Sequence, residues 1–270
     1  MYYCSRQMLS LFSSLLVAHL CAAPTMAAII PIVNPGFEDI AGETPTNEFT
    51  FGPLNGWDLY DPGNITDGGD GATFFIGTLT PTAPDFFTAG APEGQRVGIA
   101  FNFSGSGGTG EYGMQQTLSD TLQPDTRYSL DVEIGNIASG TSQDGTFFDI
   151  SGFPGYRVDL LAGGVVLAQD NNSLAGTIGE GDFAPTNVFF TTGNTHAQLG
   201  QPLEIRLVNL NMVDPGSPTA DLEVDFDNIQ LGAAAVPEPG SCAILALCLT
   251  LAVVRRHWQK SFIDRQFRRH

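Results

Sequence analysis

From residue 28 to residue 236 apolar and polar side chains alternate with a period of two in a succession of short runs. Residues 96–103 set Val97, Ile99, Phe101 and Phe103 on one face. Residues 127–134 set Tyr128, Leu130, Val132 and Ile134 against Ser129, Asp131 and Glu133. The pattern returns at Tyr156, Val158 and Leu160, at Leu203, Ile205 and Leu207, and at Leu222, Val224 and Phe226, while 187–192 reads as a further strand. Successive side chains of a β-strand point to opposite faces, so this period predicts half-buried strands; no segment carries the apolar stripe of a helix. Turn chemistry separates the runs at Asp61-Pro62-Gly63-Asn64, Gly105-Ser106-Gly107-Gly108, Gln123-Pro124-Asp125 and Asp214-Pro215-Gly216. Gly163-Gly164, between Ala162 and Val165, predicts a two-residue hairpin, because such turns need positive φ at their central residues. About ten strands in roughly 205 residues predict an all-β fold. The expected form is a single two-sheet jelly-roll β-sandwich over 28–235, flanked by an N-terminal signal helix and a short C-terminal apolar helix.

Charge sharpens this division. The 270-residue chain carries 29 Asp and Glu, 11 Lys and Arg, and four Cys. Between 28 and 236 only Arg96, Arg127, Arg157 and Arg206 face 27 acids, with no Lys and no Cys. Such a body stays soluble, attracts divalent cations and repels phosphate, which excludes nucleic acid as a partner. With Cys4, Cys21, Cys242 and Cys248 all outside it, the body holds no disulfide framework and no thiolate site.

Both ends read as targeting segments. Residues 1–27 have the order of a secretory signal peptide: Arg6, an apolar stretch, then small residues that place cleavage after Ala27, or after Ala23. At the other end, Val236-Pro237-Glu238-Pro239-Gly240 precedes thirteen apolar or small residues, 242–254, followed by Arg255 and Arg256. A helix of that length reaches about 20 Å where the hydrocarbon core measures about 30 Å, so it is a marginal anchor. The basic residues, with the tail 257–270, belong on the cytoplasmic side.

The order of Pro-Glu-Pro, short apolar helix and arginine pair over 236–256 resembles the PEP-CTERM sorting signal. The resemblance implies Pro237, Glu238, Pro239, Arg255 and Arg256 as signal residues, with signal peptidase and exosortase as processing partners. It implies export through the inner membrane, transient anchoring there by the C-terminal helix, and a final place at the cell surface or outside the cell. Many such substrates associate with exopolysaccharide or biofilm matrix. Residues 257–270 depart from the family, which usually ends soon after its arginines.

A second resemblance covers 31–232. Asn34-Pro35-Gly36-Phe37-Glu38, Gly56-Trp57, Pro92-Glu93-Gly94, Leu122-Gln123-Pro124-Asp125-Thr126 and Val224-Asp225-Phe226-Asp227-Asn228 come in the order seen in galactose-binding-like jelly rolls, which include many carbohydrate-binding modules. It implies a structural calcium ion joining the first and last strands at Glu38 and Asp227. A salt bridge at Glu38 and a turn cap at Asp227 are the alternatives.

Four acids, Asp221, Glu223, Asp225 and Asp227, alternate along one run and so share a face, where mutual repulsion calls for a counter-ion. Sugar recognition would use stacked rings, for which Trp57, Tyr60 and Tyr112 are the candidates; Trp57 serves equally as core packing. His196 is the only histidine of the body, and neither Gly-x-Ser-x-Gly nor His-Glu-x-x-His occurs. The sequence thus predicts a non-enzymatic, exosortase-processed surface or matrix protein that contacts polysaccharide. A purely structural surface protein and a secreted glycan-active hydrolase are the alternatives.

Overall fold

The computed structural model describes residues 27–69, 73–81, 85–103 and 110–236, together with Arg255. The period-two runs become strands β1 (Ala28–Ile30), β2 (Thr44–Thr46), β3 (Phe49–Phe51), β4 (Asp58–Tyr60) and β5 (Phe74–Leu79). Then follow β6 (Val97–Asn102), β7 (Tyr112–Thr121), β8 (Thr126–Asn136), β9 (Gly140–Thr141) and β10 (Phe147–Phe148). The last five are β11 (Tyr156–Ala162), β12 (Val165–Asn171), β13 (Asp182–Thr191), β14 (Pro202–Asn209) and β15 (Leu222–Ala235). Every element with a stated range among the described residues is a strand; Arg255 alone is helical, and the flanking helices the sequence predicts otherwise fall outside the described residues and are not supported.

Two antiparallel sheets stack as a sandwich. The larger has the order β13-β8-β15-β6-β5-β3-β2, with β1 also paired to β15. The smaller has the order β12-β11-β14-β7-β4, and β9 and β10 form a separate ribbon. β11 and β12 make the hairpin expected at Gly163-Gly164, with Ala162 opposite Val165 and φ of 56° and 77° at the two glycines. Tyr128, Leu130, Val132, Ile134, Val224 and Phe226 from the large sheet meet Tyr112, Met114, Leu160, Leu203, Ile205 and Leu207 from the small one. Together they make the main core.

A second core lies on the other face of the large sheet. Leu79, Val97 and Ile99 point outward from β5 and β6 and are covered by Phe86, Phe87, Ile137 and Ile150 from two long connections. Phe49, Phe75, Ala91, Phe148 and Phe183 pack around them. β6 is consequently buried along its whole length on both sides. The cover is tied down by the Ala138 N–H on Phe86 O at 3.1 Å, the Asp221 N–H on Asp149 O at 2.7 Å, and the Gln143 N–H on the Glu48 carboxylate at 3.0 Å.

Candidate active site

β15 carries the chemistry. Its even-numbered residues Val224 and Phe226 enter the main core, so Glu223, Asp225 and Asp227 must point to the opposite face, and all three are fully buried there. Glu223 stands opposite Phe101 of β6, and Asp225 opposite Ile99. On the other side of Asp225 lies Gly135 of β8, where a Cβ would come within 2.8 Å of Asp225 Cβ and 2.6 Å of the Phe183 ring. Phe183 is stacked on Phe87 at 4.2 Å between centroids, and Phe101 on Phe75 at 4.7 Å. Aromatic and aliphatic surface therefore surrounds two carboxyl groups.

None of the four oxygens of Glu223 and Asp225 receives a hydrogen bond from another described group. Burial disfavours the charged form, and the two groups repel when both ionise, so each holds its proton more tightly than a free carboxyl. Burial pushes the Glu223 carboxyl up to about 8 and raises Asp225 well above the usual carboxylate range, with Glu223 adding to the rise. At neutral pH both carboxyls therefore favour the protonated, proton-donating form. Glu223, Asp225 and Asp227 share a face as the sequence predicts, and protonation of the buried pair lessens the repulsion between those two.

The remaining predicted positions fall elsewhere. Trp57 is 3% exposed, stacks on Phe37 at 5.5 Å and donates its indole N–H to Asn34 O at 3.1 Å, so it lies in the main core. Tyr112 is fully buried, edge-on to Phe74 at 5.4 Å. Tyr60 is half-buried, donates to Glu111 at 2.9 Å and lies under the Arg206 guanidinium at 4.1 Å. Glu38 and Asp227 converge on the segment after Pro92. Glu38 accepts the N–H groups of Gln95 and Arg96 at 2.6 and 2.7 Å, and Asp227 accepts that of Glu93 at 2.8 Å. Burial pushes Asp227 up to about 7, with the Glu93 and Glu38 charges contributing. Among the described residues no three His, Cys, Asp or Glu side chains are grouped to hold a metal ion. His196 packs edge-on to Phe190 at 5.5 Å, away from the acid pair's strand. Pro237, Glu238, Pro239 and Arg256 lie outside the described residues, and Arg255 is exposed. Glu223 and Asp225 were visible in the sequence only as members of an acidic alternation; the cover that buries them was not.

Residues 28–232 match the family model described as HpiC1-like, HpiC1 cyclase. Three solved structures support this match. An apo cyclase from Fischerella sp. is 38% identical, with a TM-score of 0.65 over 78% of this chain and 98% of that one. The Stig cyclase Fisc from Fischerella sp. TAU, in complex with (3Z)-3-(1-methyl-2-pyrrolidinylidene)-3H-indole, is 36% identical, with a TM-score of 0.65 over 78% and 100%. A cyclase from Fischerella sp. TAU in complex with 4-(1H-indol-3-yl)butan-2-one is 37% identical, with a TM-score of 0.66 over the same shares. A xylan-binding domain from Paenibacillus barcinonensis aligns at 12% identity with a TM-score of 0.42, a likeness that says nothing about sugar. No curated protein matches the sequence at a significant level.

These findings correct the functional expectation. The body that resembled a carbohydrate-binding module is that of an enzyme family, which overturns the non-enzymatic surface or matrix protein. Nothing supports the PEP-CTERM, exosortase and biofilm reading, whose residues also lie beyond the matched segment. The expected transient anchoring and surface location rested on that reading, in whose place stands an enzyme family; no helix among the described residues is long and apolar enough to cross a membrane, and 242–254 lies outside them. The matched 28–232, and solved cyclases more than 35% identical over nearly their whole length, place the chain in the HpiC1-like cyclase family.

Proposed function

We propose that this chain is a cyclase that closes a ring by proton transfer at the Glu223–Asp225 pair. The observation that carries the reading is the pair itself: two fully buried carboxyls without other donors, under an aromatic cover. The substrate class is an unsaturated, largely apolar chain on a nitrogen-bearing aromatic ring such as indole, by analogy with the ligands of the related cyclases. One carboxyl gives its proton to a carbon of a double bond, its O–H bond breaking as the C–H bond forms. The resulting carbocation takes the π electrons of a second double bond or of the ring, which makes the new C–C bond. The carboxylate then accepts the proton lost from a neighbouring carbon. Product and substrate are isomers, and the donor carboxyl regains its proton. Ring faces such as those of Phe101 and Phe183 favour a cation, and the dry cover limits its capture by water.

The test is turnover of 3-alkenyl indoles in deuterated water, followed by mass spectrometry. The expected product is an isomer carrying one deuterium. Asp225→Asn and Glu223→Gln each lower its formation by about a hundredfold or more. Undiminished turnover in both variants would overturn the reading.

We propose in addition that a calcium ion binds at Glu38 and Asp227, beside Glu93. A Cβ on Gly36 would strike the Glu93 carboxylate and lie 3.5 Å from Asp227 Oδ1, so these two carboxylates both border Gly36, while Glu38 borders Gly94. Calcium takes oxygen ligands only, and carbonyls and water would complete its shell. Its role is structural: it would fasten the N-terminal segment to β15, next to the acid pair.

A further inference from the structure

Beside the acid pair, a groove of about 420 Å³ opens on the outer face of the large sheet. Its volume lies in the range of small-molecule sites. One wall is the segment 88–92, the other the turn 177–182, and the floor is Glu133 of β8 and Phe183 of β13. The walls are joined at one end: the Thr88 N–H donates to Gly181 O at 2.9 Å, and the Thr88 hydroxyl to Asp182 Oδ1 at 2.9 Å. Asp182 is therefore engaged. Glu133 is not: burial alone shifts its carboxyl, upward, and no neighbouring charge contributes. Among the described residues no basic side chain lines the groove.

The groove and the acid pair are neighbours. The Phe183 ring forms part of the groove and also part of the second core, where it lies over Gly135 beside Asp225. Ala91 likewise belongs to both. Thus an apolar ring surface, an uncompensated carboxylate and a fully buried acid follow one another across adjacent strands. A flat ring with one N–H donor and an unsaturated chain matches that order.

We infer that this groove docks the nitrogen-bearing ring of the substrate, its N–H donating to Glu133 while the ring lies against Phe183 and the chain is directed toward Asp225. The inference rests on the cyclase reading for its substrate class. Glu133 is a binding and positioning residue, which takes no part in the proton transfer.

The experiment is equilibrium binding to the full chain of two probes, 4-(1H-indol-3-yl)butan-2-one and its N-methylated counterpart. The wild type is expected to prefer the N–H probe by about tenfold or more, the usual worth of a hydrogen bond to a charged acceptor. Glu133→Met removes the preference, and Glu133→Gln, whose amide oxygen still accepts, keeps a reduced one. Asp225→Asn keeps it in full while losing turnover. A wild type that binds neither probe, or shows no preference, overturns the inference, as does a Glu133→Met variant that still prefers the N–H probe. A chain with the Glu133-dependent preference but no isomerisation of any indole would retire the cyclase mechanism and leave the dock standing. Turnover without that preference would do the reverse.

Discussion

Asp225 lies two residues from Glu223 on one face of β15, and their carboxyls, both fully buried, are held toward the protonated form within an apolar second core. The stability of the fold is tied to pH through this pair. Folded Glu223 holds its proton up to about 8, against an ordinary value of 4.5. Between those limits the folded chain binds more protons than the unfolded one, so stability is full below the ordinary carboxylate range and falls as pH rises toward 8. Each such group contributes a slope of about 1.4 kcal/mol per pH unit, or about 3 °C in Tm. Thermal melts from pH 5 to 8 should show this decline, and Glu223→Gln with Asp225→Asn should flatten it. A Tm that climbs across the window would contradict the buried, protonated pair.

Arg157 is expected to be the most sensitive position of the small sheet's outer face. It contacts both Glu111 and Asp159, and Asp159 has no exposure and, among the described residues, only Arg157 at 2.9 Å and Arg206 at 3.5 Å to balance its charge. Arg157→Met leaves that charge underneath with one distant partner. The expected loss is about 3–5 kcal/mol, read from urea unfolding. A loss below about 1 kcal/mol would mean that Arg206 alone suffices, as is usual only for exposed pairs.

Trp57→Ala should destabilise without touching ligand recognition. The substitution removes the stack on Phe37 and the hydrogen bond to Asn34 O, and opens a cavity in the main core. Such truncations cost about 3–5 kcal/mol, which corresponds to roughly 10 °C in Tm. Binding of indole probes by the remaining folded protein is expected to be unchanged; a selective loss of binding at full stability would place Trp57 at a site after all.

Calcium should raise the melting temperature, because a ligand held only by the folded state stabilises it by mass action. At a hundredfold excess over Kd the gain is about 2.7 kcal/mol, and a chelator reverses it. In Asp227→Asn the difference between calcium and chelator is expected to vanish. Equal melting temperatures in the wild type under both conditions would dismiss the ion.

Much of the sandwich was legible in the chain. Tyr128, Leu130, Val132 and Ile134 form one stripe because a strand's pleat has a period of two whatever it packs against. Gly163-Gly164 reads as a hairpin because few other pairs accept positive φ twice in succession. Local rules of this kind act between neighbours, and the sequence displays neighbours.

What lies on the far side of a strand is a different matter. Alternation told that Glu223, Asp225 and Asp227 share a face, yet a face of acids on a two-sided sheet is ordinarily wet, and repulsion there is ordinarily met by a cation. Whether that face is wet depends on Phe86, Phe87, Ile137 and Ile150, more than 70 residues away along the chain, folding back over it. The same holds for Trp57, whose burial depends on Phe37 and Asn34 reaching it, and for Glu133, which shares a groove with Thr88 and Gly179. The sequence by itself determined the strands, their faces and the acidity of the body. Only the tertiary structure decided which acids lost their water, and burial is what turns a surface carboxylate into a proton donor.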